Sequence, residues 1–150
     1  MPKRRRTSNV VVDTNVFVGN FLTRSRGGPN RRVIRSWLVE HKFKLALSGE
    51  IEAEYLRIFE DLLGFDRDRL LSWKRRFGNK RITQTVGVGA SSLSRDPKDN
   101  VFIATAKAAK AKFLVTNDRD LLDITDAEKR RLRFRIVRPE QFLPLLESRD

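Results

Sequence analysis

The chain contains no cysteine and one histidine, His41. The missing cysteines exclude disulfides, thiolate zinc sites and a cysteine nucleophile, and they fit a reducing, cytoplasmic compartment. A lone histidine excludes a His-pair mechanism and a multi-His metal site. Long hydrophobic runs are also missing. The longest is four residues, Val101–Ala104, whereas a membrane-spanning helix takes about 20. The basic start Met1–Arg6 is followed by only three valines before Asp13, too few for a secretory signal. Acids are the minority charge: 19 Asp and Glu face 32 Lys and Arg, for a net charge of +13. An excess of this size in a folded domain points to a polyanionic partner, whether RNA, DNA or an acidic protein. With so little His and no Cys, carboxylates are the groups left to act as acids, bases or metal ligands.

The chain does have a core to bury. Its 150 residues are 39% hydrophobic and include ten Phe, enough for one domain. Residues 1–8 read as a flexible basic arm and 9–150 as a single domain. Asn9–Asp13 is a short β-branched run, as expected of a strand covered on both faces. Further strands are expected at Phe43–Leu47, Lys80–Val86, Lys112–Thr116 and Phe134–Val137. Helices are expected around Val33–Leu38, from Ser48 to Gly64 with Ile51, Tyr55, Ile58, Phe59 and Leu62 inward, and over 66–77 with Leu70, Trp73 and Phe77 inward. Another runs from Asp96-Pro97 to about Ala109, and a short helix follows Pro139. Strands alternating with helices mean an α/β fold with a central parallel sheet.

In such sheets ligands bind at the carboxyl ends of strands. Asp13 and Asp118 stand at two of those ends. Asp99 precedes Phe102 and Ile103 by three and four residues, in line with an inward stripe. Glu54 borders the stripe of its helix, although periodicity does not separate it from Glu50 or Glu52. Each acid also has an ordinary explanation. Asp13 can be an N-cap, Asp99 a first-turn charge, Asp118 a turn residue and Glu54 a solvated helix charge. Together they are harder to dismiss, because like charges converging on one sheet edge repel unless something positive lies between them. An all-oxygen donor set suits Mg²⁺ or Mn²⁺.

Four segments carry a family resemblance: Val10–Val16 with its hydrophobic-Asp-Thr-Asn pattern, Leu47-Ser48 followed by Glu54, Asp96–Ala106, and Leu114–Leu122 with Thr116-Asn117-Asp118 after a strand. In order and spacing they resemble the PIN-domain nucleases, and among these the VapC-like toxins of toxin–antitoxin systems. The resemblance spans about residues 9 to 140. It implies a Rossmann-like three-layer α/β/α sandwich and a Mg²⁺- or Mn²⁺-dependent endoribonuclease that leaves a 5′ phosphate and a 3′ hydroxyl. It also implies an antitoxin partner and a homodimer. By position, Asp13, Glu54, Asp99 and Asp118 would be the metal-binding, catalytic acids, with Thr14, Asn15 and Thr116 supporting them. It singles out Glu54 from its neighbours. Asp96 and Asp120 are further acids of the motifs, the first a candidate cap and the second a short-helix residue. Two features depart from the pattern. Asn100-Val101-Phe102 follows Asp99 where many relatives are Ala-rich, and the arm at 1–8 has no counterpart. The alternative is a PIN-like RNA-binding adaptor without catalysis, against which the complete set of four acids argues.

Substrate phosphates approaching four carboxylates need nearby cations, and Arg95, Lys98 and Arg119 flank the acids in sequence. Two more basic clusters lie at 67–81 and 129–138. Trp73 and Phe77 within the first could stack on bases, but their spacing of four fits a core stripe better. In the second, Arg133 and Arg135 alternate with Phe134 and Ile136, the pattern of a strand with one wet and one buried face. His41 reads as a surface residue near a helix end.

Overall fold

Val10, Val11 and Val12 have no exposed surface, because β1 (Asn9–Val12) is the middle strand of a five-stranded sheet. The computed structural model describes residues 7–23, 27–88 and 97–147, with backbone alone for 97–99. After β1 the chain forms α1 (Thr14–Leu22), α2 (Pro29–Leu38), β2 (Lys44–Leu47), α3 (Gly49–Asp61), α4 (Arg67–Phe77) and β3 (Thr83–Thr85). It continues as α5 (Pro97–Ala108), β4 (Phe113–Val115), α6 (Arg119–Leu122), α7 (Asp126–Arg130), β5 (Arg135–Val137) and α8 (Pro139–Glu147).

The strand order is β3-β2-β1-β4-β5, and every pairing is parallel. Val10 pairs with Leu45 on one side and Phe113 on the other, and Val12 pairs with Val115. The chain winds outward from β1 to β3, then returns to β4 on the other side. The switch point therefore lies between the carboxyl ends of β1 and β4, where open α/β sheets bind ligands. Helices flank the sheet in a three-layer α/β/α arrangement. Among the described residues no helix is long and apolar enough to cross a membrane.

Helix ends follow local chemistry. Ser48 and Asp66 cap α3 and α4 by accepting the N–H groups of Ile51 and Arg69. Gly64 closes the turn after α3 at φ +67°, a conformation that costs glycine little. Leu62, expected to face inward, lies past the end of α3 and is 61% exposed. β3 is shorter than expected, since only Thr83–Thr85 pair with β2.

The aromatics gather between α1, α2, α3 and α4. The Phe17 ring lies 4.7 Å from Tyr55, 5.8 Å from Phe59 and 6.0 Å from each of Trp37, Trp73 and Phe77. Trp73 and Phe77 are buried, so they belong to the core rather than to a base-stacking surface. Two cations of the 67–81 cluster are used internally: Arg69 lies 3.8 Å over Phe65 and Arg76 4.6 Å over Trp73.

Candidate active site

Asp13 directly continues the central strand. Its backbone N–H donates to the Val115 carbonyl at 2.8 Å, one step past the β1–β4 ladder, so its side chain emerges at the switch point. It occupies the N-cap position of α1 but makes no capping side-chain bond. The simple capping explanation for this acid therefore fails. Instead Asp13 Oδ2 accepts the Thr116 hydroxyl at 2.6 Å and the Asn15 amide at 3.2 Å.

The carboxyl group is buried, with the residue only 6% exposed. Burial pushes its pKa up from 3.8 to about 6, and the negative charges of Glu54 and Asp118 push the same way. The hydrogen bonds from Thr116 and the Thr14 backbone oppose the rise. No Lys or Arg among the described residues pairs with Asp13, Glu54 or Asp118. A buried carboxylate beside two like charges and no cation is a costly arrangement on its own.

Glu54 is half-buried on α3, one turn after Ile51. Its Oε2 accepts the hydroxyl of buried Thr14 at 2.5 Å, which ties α3 to the start of α1. Asp118 follows β4, half-buried, and caps α6 by accepting the Asp120 N–H at 2.9 Å. The turn-residue explanation thus holds for one of its oxygens. Thr116, with no exposed surface, donates to Asp13 and accepts the Asp118 N–H at 2.9 Å. Arg119 opens α6 and Asp120 follows it, both exposed.

Asp99 lies in the first turn of α5. Its side chain, that of Lys98, and all of Arg95, Asp96 and residues 1–6 of the arm lie outside the described residues. Among the described residues no three acids are close enough together to hold a metal ion. Asp13, Glu54 and Asp118 share an electrostatic neighbourhood there without forming a closed ligand cage. Their donor set consists of oxygen alone, and the Asp13 charge, left without an ion-pair partner among the described residues, fits a hard divalent cation.

Several supporting residues carried no role in the sequence reading. The Asn117 N–H donates to Asn15 Oδ1 at 3.2 Å, and its amide donates to Asn30 Oδ1 at 2.9 Å, joining the β4 loop to α1 and α2. Thr105 on α5 lies 2.9 Å from the Ser48 hydroxyl, both fully buried. The Tyr55 hydroxyl donates to the Val12 carbonyl just before Asp13. Ser48 and Thr105 lie within recognisable motif segments. Asn30 and Tyr55 gave no such signal, since one follows a loop proline and the other falls in an apolar stripe.

A model of the PIN-domain family matches residues 9–120. No curated protein matches the chain.

Proposed function

Because the chain belongs to the PIN-domain family, a nuclease fold that is typically metal-dependent, we propose that it is an endoribonuclease using Mg²⁺ or Mn²⁺. The observation that carries this reading is the buried Asp13 carboxylate at the switch point, raised in pKa and faced by acids with no pairing cation among the described residues. In this reading Asp13, Glu54, Asp99 and Asp118 hold the metal. When bound, that ion supplies a lowered pKa for the attacking water and charge stabilisation for the leaving 3′ oxygen.

The chain's own residues supply orientation. Thr116 and Asn15 fix the Asp13 carboxylate through one oxygen and leave its other edge turned from them. Thr14 fixes Glu54. Supporting bonds of this kind matter nearly as much as the ligands themselves. Arg119, with Arg95 and Lys98, holds the phosphates of the substrate against the repulsion of the acids. RNA is the substrate, and the biological setting is a type II toxin, active as a homodimer and neutralised by an antitoxin protein.

The test is cleavage of RNA by purified protein with Mg²⁺, with EDTA, and in Asp13→Asn and Asp118→Asn variants. Cutting by the wild type alone, and only with the metal, is expected. Unchanged cutting by either variant overturns the site assignment. Salt-sensitive RNA binding with no cutting under any condition would make the protein an adaptor. Growth arrest on expression, relieved by Asp13→Asn, tests the toxin role.

A further inference from the structure

A cluster of cations, unpaired among the described residues, lies at the opposite end of the sheet from the acids. At the amino-terminal end, where the chain leaves α5 and enters β4 and β5, a groove of about 510 Å³ is lined by Lys107, Lys110, Lys112, Arg131 and Arg133 over the Phe134 ring. Among the described residues no Asp or Glu lines it. All five cations are exposed, and none forms an ion pair among the described residues. This sets them apart from Arg69 and Arg76 of the other basic cluster, which lie over aromatic rings of their own fold.

The groove is fixed by the same framework as the site. The Lys112 N–H donates to the Asn9 carbonyl at 2.9 Å, and the Asn9 amide donates to the Ala109 carbonyl at 2.9 Å. Arg133 and Lys112 precede parallel, paired strands, since Phe113 pairs with Arg135. The 12 residues of α5 span the two ends, on the order of 18 Å at 1.5 Å per residue.

We propose that this groove binds the phosphate backbone of RNA at a distance from the cutting site. Five like charges around one concavity repel each other and are relieved by a polyanion whose charges are regularly spaced. The acidic end of the sheet repels that same polyanion, so a second point of attachment helps to keep it there. The choice of RNA rests on the ribonuclease reading; the groove itself rests on its own charge and shape. At 3.4 Å per nucleotide along a stacked strand, engaging both ends takes at least about six nucleotides.

The experiment measures binding of a fluorescent oligouridylate of about 20 nucleotides to the full chain in EDTA, across a salt series. Lys110→Glu/Arg131→Glu/Arg133→Glu is compared with the charge-matched control Lys74→Glu/Arg75→Glu/Lys80→Glu. The groove variant is expected to lose about tenfold or more in affinity, and its salt slope falls by about two. The control changes little. Equal losses in both variants, or no loss in the groove variant, overturn the proposal. Polyglutamate that binds the groove as tightly as the RNA also overturns it, in favour of an acidic protein. Should the reversal variant fail to show the wild-type melting transition, the Gln versions of the same three positions take its place. Cutting by the wild type is scored separately. Groove-dependent binding without cutting keeps the groove and removes the nuclease, whereas cutting with groove-independent binding does the reverse.

Discussion

The hydroxyl of Thr116 donates to Asp13 Oδ2 at 2.6 Å while accepting the Asp118 backbone N–H at 2.9 Å. One buried oxygen atom thus joins the two acids that end β1 and β4. It can do so because a threonine hydroxyl both donates and accepts, and because the β1–β4 register places Val12 beside Val115. Replacing Thr116 by Val keeps the shape and removes both bonds. The Asp118 N–H then loses its partner, and stability falls by about 1–3 kcal/mol. The Asp13 pKa rises further, since the Thr116 bond is a lowering influence. Cleavage drops by about 10–100-fold, and its acid limb moves to higher pH. Thr116→Ser restores most of both, as a pH–rate profile of the three proteins would show.

Asp13 makes the folded state sensitive to pH in an unusual direction. The unfolded chain ionises this group near 3.8 and the folded chain near 6. Between those values the folded state binds more protons, so this group's contribution to stability is retained below about pH 4 and lost as pH rises through 6. The full loss is about 3 kcal/mol. Asp13→Asn removes the charge and is expected to be more stable than wild type at about pH 8, with the difference vanishing near pH 4. Urea titrations at both pH values measure it. A variant no more stable than wild type at the higher pH would contradict the buried charge.

Divalent cations should stabilise the wild type and leave Asp13→Asn almost unaffected. At about 100 times its dissociation constant, a ligand that binds the folded state adds about 2.7 kcal/mol. Because the proton competes for the same carboxylate, metal affinity should weaken below about pH 6, approaching tenfold per pH unit. Thermal melts with Mn²⁺ at several pH values read this out. A metal-induced shift equal in both proteins would place the ion elsewhere.

Gly19 on α1 has no room for a side chain. A Cβ there would lie 2.1 Å from Asn30 Nδ2, the residue that receives the Asn117 amide. Gly19→Ala therefore displaces Asn30 and breaks that link, at about 1 kcal/mol. Alanine in a helix returns about as much. The expected result is nearly unchanged overall stability with faster hydrogen exchange at the Asn117 side-chain amide. A stability loss of several kcal/mol would mean that Asn30 cannot move aside.

Much of this was legible in the sequence because it rests on burial. The valine run, the strand ending at Val115 and the inward stripe of α3 are apolar patterns, and patterns survive in a one-dimensional string. Asp13 was legible as an acid at the end of a strand but not as a buried one, since its environment comes from Thr116, 103 residues away. α7 was missed because its residues offer no apolar stripe. Its signal is instead a cap, Thr125 accepting the Glu128 N–H, in a Thr-x-x-Glu pattern. Leu62 misled because periodicity does not say where a helix stops. The link from Asn117 to Asn30 was invisible, since amides give no spacing rule.

The sheet order also sets a schedule. β1 emerges first during synthesis, yet its neighbour on the site's far side, β4, begins at Phe113. A nascent chain can display Asp13 and Glu54 with β1 and β2 in place and still lack Thr116, Asp118 and half of the pairing that anchors the central strand. Domains generally fold as units once enough of the chain is available. Any activity that depends on this edge is therefore withheld until Thr116 and Asp118 have followed β1 and β2 out of the ribosome, a safeguard in time for a ribosome reading an RNA of the very class its product is proposed to cut.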